Sequence, residues 1–93
     1  VGRVVVSFDA RHDLGTLIAS HHLPADPHER VRRCLAPLAA YPLLGPALGE
    51  IYRYRLGPWP WMLLVYRVDA PRDTVVVVAI QDARRAGSAT AEE

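Results

Sequence analysis

The sequence predicts an α+β domain of order β-α-α-β-β-β, with two helices packed on one face of a small, largely antiparallel sheet. Three observations carry that reading. A β-branched run opens the chain, two segments of helical spacing follow, and three strand-like runs then succeed one another between Tyr52 and Arg85 with Gly/Pro-rich turns between them. At 93 residues the chain can bury roughly 60–65% of its unfolded surface around one core. Residues 1–85 therefore read as one domain, and the small, polar stretch 86–93 as a frayed tail.

The elements are justified in chain order. Arg3-Val4-Val5-Val6-Ser7-Phe8 has strand length and composition, and Asp9 after it is a good helix N-cap. Ala10, Leu14, Leu17, Ile18 and His21 keep helical spacing until Pro24, which excludes the helical region from Leu23. Asp26-Pro27-His28-Glu29 then combines an N-cap acid, a proline at the first helical position and a glutamate placed to close a capping box. Val31, Cys34, Leu35 and Leu38 form the buried stripe of this second helix, which Pro37 bends or ends. A breaker-rich loop, Tyr41-Pro42-Leu43-Leu44-Gly45-Pro46, precedes a strand region from Ala47 to Leu56. Gly57-Pro58-Trp59-Pro60 links it to a strand over Trp61–Asp69. Ala70-Pro71-Arg72-Asp73 is turn chemistry, and Thr74-Val75-Val76-Val77-Val78-Ala79-Ile80 is a strand covered on both sides.

Composition narrows the function classes. Half of the residues are hydrophobic and Ser, Asn and Gln are scarce, which opposes disorder. All eleven basic residues are arginine and the net charge is +1, so any electrostatic function has to come from a local patch. No apolar run approaches the ~20 residues that span a bilayer. The single Cys34 reads as a small core residue in a reducing compartment, and the expected location is cytoplasmic. His12, His21, His22 and His28 lack the spacing of a metal site, and no cofactor motif is present.

The informative local pattern is Tyr52-Arg53-Tyr54-Arg55-Leu56. Period-two alternation sends Tyr52, Tyr54 and Leu56 toward a core and leaves Arg53 and Arg55 together on the other face, open to an anionic partner. A purely structural role would instead pair the arginines with Glu50, Asp69 and Asp82 at the surface. Trp59 and Trp61 flank Pro60 at a hairpin tip, where they either cap the sheet edge or present indoles to a base or a partner groove.

Asp13-Leu14 in the first helix, Leu38-x-x-Tyr41-Pro42-x-x-Gly45, Leu64-Val65-Tyr66-Arg67-Val68-Asp69 and a valine strand ending near Arg84-Arg85 together resemble the RelE/ParE superfamily of toxins over residues 3–85. The resemblance implies the toxin half of a type II toxin–antitoxin pair, growth-inhibiting when released from its cognate antitoxin and associated with plasmid stabilisation. Members of that superfamily either cut mRNA on the translating ribosome or poison DNA gyrase. For the nuclease branch, Arg53 and Arg55 match a Lys-x-Lys spacing that binds the RNA backbone, and Arg84 falls where a cation stabilises the scissile phosphate. Two departures oppose nuclease activity: Leu63 stands where an arginine is usual, and no His or Tyr follows Arg85 to move a proton. Asp82 occupies the place where some relatives carry histidine.

The resulting expectation is a toxin whose arginine-bearing sheet face, Arg53, Arg55, Arg67 and Arg84, engages an antitoxin and a cellular target. Arg85 and Trp59 join the target-binding set, Arg84 is the catalytic candidate, and no metal or cofactor is involved. Leu63, Val65 and Arg67, sharing the open face with Arg53 and Arg55, form the antitoxin-binding set. DNA gyrase is the expected target. The alternatives are a ribosome-dependent mRNA endonuclease and a degenerate toxin that only binds its antitoxin.

Overall fold

A computed structural model describes residues 2–85; the tail expected at 86–93 lies outside them. The chain runs β1 (Arg3–Val6), α1 (Phe8–His21), α2 (Pro27–Leu35), a 3-10 turn (Ala36–Ala39), β2 (Ala47–Leu48), β3 (Tyr52–Leu56), β4 (Met62–Asp69), a second 3-10 turn (Ala70–Arg72) and β5 (Thr74–Asp82). The strands form one sheet of order β1-β5-β4-β3-β2, antiparallel except where β1 runs parallel to β5. The α+β class and the helices on one face are as the sequence predicts, and the strand region from Ala47 to Leu56 divides into β2 and β3.

Local chemistry sets the helix ends, with two corrections. The N-cap of α1 is Ser7, whose Oγ accepts from the Ala10 N–H at 3.1 Å, and not Asp9, which lies in the first turn where its charge suits the helix dipole. In α2, Asp26 adopts φ 63° and makes no side-chain cap. Glu29 turns away from the cap toward Arg32, accepting from Nε and Nη2 at 2.7 Å each, so the expected capping box does not form. Pro37 ends α2 as expected, and the chain tightens into the 3-10 turn.

The core lies between the helices and one face of the sheet. Ala10, Leu14 and Leu17 of α1, Val31 and Leu35 of α2 and Leu38 meet Met62, Leu64 and Tyr66 of β4 and Val75, Val77 and Ile80 of β5. Cys34 is only half-buried and packs against this cluster. A bulge in β5 controls which residues face it. Val65 pairs with Ala79 but Tyr66 pairs with Val77, so Val78 is the extra residue and the alternation changes phase there. Ile80 and Asp82 are thereby turned to the helix side, where the Asp13 carboxylate accepts from the Ile80 N–H at 3.1 Å and pins α1 to the strand. Among the described residues no helix is long and apolar enough to cross a membrane.

Candidate functional site

Strand β3 reverses the expected facing. Directly paired antiparallel residues point to the same side, and the register sets Arg53 opposite Tyr66 and Arg55 opposite Leu64, both core residues. Arg53 and Arg55 therefore lie on the helix side. Tyr52, Tyr54 and Leu56 share the other face with Arg67, Val65 and Leu63. The cause is position in the sheet: α1 packs on β5, three places from the β2 edge, so the helix side of β3 is covered by the 41–46 loop and by long arginine stems. Arg53 Nη1 donates to the Gly45 carbonyl at 2.8 Å, Gly45 N–H donates to the buried Tyr66 hydroxyl at 2.9 Å, and Tyr54 N–H donates to the Pro46 carbonyl. Gly45 is required by space, since a Cβ there would lie 1.9 Å from the Tyr54 carbonyl oxygen. Arg55 finds no such acceptor among the described residues, and its Nε is buried without a hydrogen bond.

The antitoxin-binding set also needs correction. Leu63 and Val65 do not share a face with Arg53 and Arg55, and their relative exposures are 1% and 6%, so neither is an open apolar contact. The exposed apolar side chains on that face are Tyr52 and Leu56, with Leu43, Leu44 and Ile51 exposed nearby in sequence.

Where β4 begins and β5 ends the chain assembles a cluster that the spacing of its residues does not reveal. Asp82, turned inward by the bulge and 6% exposed, accepts through Oδ1 from Arg84 N–H and Nε, both at 3.0 Å. Its Oδ2 accepts from Arg84 Nη2 at 3.0 Å and from His21 Nε2 at 3.1 Å. His21 comes from the last turn of α1. With Nε2 donating to Asp82, the neutral ring uses Nδ1 to accept from the Ser20 hydroxyl at 2.9 Å; a protonated ring donates from Nδ1 to the Leu17 carbonyl at 3.2 Å. The imidazole stacks on Trp61 at 4.3 Å and 14°, Trp59 lies 6.3 Å beyond, and the Arg84 and Arg30 guanidinium groups sit 5.3 Å and 6.0 Å from the Trp61 and Trp59 rings. Both indoles are half-buried and pack against the core.

The electrostatics follow from those contacts. The Arg84 side-chain hydrogen bonds, working against burial and helped by the Arg84 N–H and by His21, hold the Asp82 carboxyl well below the usual carboxylate range. The same bonds raise the Arg84 guanidinium. Beside them a cleft of about 490 Å³ opens between α1 and the end of β5, lined by His12, Asp13, Thr16, Gln81, Asp82 and Arg85.

Chemically the cluster is closed on itself. Cleavage of RNA by its 2′-hydroxyl needs a group free to accept a proton and a cation aimed at the phosphate. Both Asp82 oxygens, both His21 ring nitrogens and the Nε and Nη2 of Arg84 already have partners within the chain, while Arg84 Nη1 has no hydrogen bond among the described residues. His21 was missed in the sequence because it lies 61 residues from Asp82; its place among the apolar positions of α1 was the available signal. The structure thus joins Arg84 to Trp61 and, through it, Trp59, but keeps Arg53 and Arg55 in a separate group and Arg67 on the opposite face. Among the described residues no group of three or more His, Cys, Asp or Glu could hold a metal ion.

A sheet with one parallel pair, two helices on one face and a charged end after the last strand defines a small α+β fold. A chain of the E. coli RelBE toxin–antitoxin complex superposes with a TM-score of 0.69 at 16% identity, covering 91% of this chain and all of the other, which is a likeness of fold. The model of the ParE toxin of the type II toxin–antitoxin system parDE matches residues 5–87, and the chain belongs to that family. No curated protein matches it.

Proposed function

We propose that this chain inhibits growth by binding a cellular target, with DNA gyrase as that target, and is neutralised in the cytoplasm by a cognate antitoxin. The observation that carries the proposal is the closure of the Asp82, His21 and Arg84 array: the groups that would move protons or clamp a phosphate are bonded to one another. Membership of the ParE family supports the antitoxin partner and the toxin role. On this reading Arg55, Arg67 and Arg85 supply target-facing charge. Tyr52 and Leu56 beside Arg67 offer the apolar-plus-basic surface that an acidic, leucine-bearing antitoxin segment would cover, over a floor of Leu63 and Val65.

One observation favours the ribosome-dependent nuclease as the second reading. His21 brings an imidazole to 3.5 Å from Arg84 Nη2, so a group of the type that moves protons stands beside the scissile-phosphate candidate. Controlled induction in bacteria separates the two. Gyrase poisoning gives a DNA-damage response and protein-linked DNA breaks with early translation intact; nuclease action gives mRNA cuts on translating ribosomes that Arg84→Ala abolishes. Early translation arrest with such cuts would reject the gyrase proposal.

A further inference from the structure

We propose that Asp82 is an internal counter-anion that masks Arg84 from external phosphate, so that the chain carries an exposed cation just after β5 but withholds it from single-stranded RNA. The contact is more than a chance surface pair. Its carboxylate is buried while its guanidinium is exposed, the Arg84 backbone N–H, Nε and Nη2 all donate to it, and His21 from a different element fixes the second oxygen. Trp61 backs the guanidinium from below, which limits the directions in which Arg84 can leave.

The mask acts twice on an approaching anion. Asp82 neutralises the Arg84 charge, and the carboxylate itself, set in the wall of the α1–β5 cleft, repels a phosphate that enters there. Arg85, exposed and lining the same cleft, makes no side-chain hydrogen bond among the described residues, so it is the cation that a phosphate meets first. The β5 bulge is what makes this possible. Without the phase change at Val78, Asp82 would sit on the other face with Gln81's present partner Leu63, away from His21. The inference rests on this geometry and not on the choice of cellular target, and its test involves no growth phenotype.

Anisotropy of a labelled single-stranded RNA oligonucleotide in low salt provides the measurement, on the full chain. Asp82→Asn keeps the shape and removes the charge, and should tighten binding about tenfold, the gain expected when one guanidinium becomes free for a phosphate. Asp82→Asn/Arg84→Ala should return to the wild-type affinity. A tightening that survives in the double variant, whose net charge equals that of the wild type, would mean that freeing Arg84 is not its cause and would overturn the mask, as would no tightening in a folded Asp82→Asn protein, checked by circular dichroism. Asp73→Asn, exposed at the other end of β5, makes the same change in net charge and should leave the affinity within twofold; a tightening equal to that of Asp82→Asn would show that net charge alone is responsible and would overturn the mask. A second comparison needs no change at Asp82. In the wild-type background Arg84→Ala should alter affinity less than twofold, whereas Arg85→Ala weakens it and lowers the salt dependence by about 0.7 in log–log slope, the value of one single-strand phosphate contact. Equal losses from Arg84→Ala and Arg85→Ala would show that Arg84 is already exposed to phosphate.

Discussion

Two pairs of arginines, Arg53 with Arg55 and Arg84 with Arg85, look alike in sequence and divide in the same way in three dimensions. In each pair one member is held by a partly buried acceptor: Arg53 by the Gly45 carbonyl, Arg84 by the Asp82 carboxylate. The other member, Arg55 or Arg85, has no side-chain acceptor among the described residues. The lesson is that spacing identifies where cations cluster, while the availability of each cation depends on acceptors brought from elsewhere in the chain. The held arginines act first on the fold. Arg53 fastens the 41–46 loop over β3, and Arg84 ties the segment after β5 to the carboxylate that also receives His21 from α1.

That division can be broken at its structural member first. Gly45→Ala should have the largest effect, about 3 kcal/mol or more of lost stability, because the new Cβ would strike the Tyr54 backbone in a buried place. Urea unfolding should show a lower midpoint with little change in slope. Tyr66→Phe removes the acceptor of the Gly45 N–H and should cost about 1–3 kcal/mol by the same measurement, since it leaves a buried donor unpaired. A cost near zero would mean that Arg53 alone holds the loop.

The two β3 arginines can then be compared directly. Arg53→Ala should destabilise by about 1–2 kcal/mol through the lost bond to Gly45, and Arg55→Ala by less, because its buried Nε forms no bond to lose. A thermal melt in which Arg55→Ala is the more damaging would contradict the assignment of held and available cations. The effect that depends on pH belongs to the other pair. The Asp82 carboxyl is lowered in the folded state, so its stabilising contribution is present above the ordinary aspartate range of about 3.9 and is lost as pH falls below it. Melting temperatures of wild type and Asp82→Asn should hold a constant gap from about pH 6 to 8 and converge on acidification toward about pH 2. Parallel curves across the acid range would show that Asp82 gains nothing from its charged partners.

Much of this molecule was determined by its sequence alone: the order of elements, Pro27 at the start of α2, the end of that helix at Pro37, the turn at residues 70–73 and the toxin-family resemblance. Those features depend on local backbone preference and on periodicity, which act within a few residues. Which face of β3 is covered did not follow, because alternation defines two faces without saying which neighbour lies over each; the register with β4 and the folded-back loop decided it. Nor could alternation along β5 place Asp82, since a single extra residue at Val78 reverses the phase between Val77 and Ala79. The meeting of His21, Trp61, Asp82 and Arg84 was settled only by tertiary packing, because a hydrogen bond between residues 61 positions apart depends on how α1 lies on β5 and not on either segment's own preference.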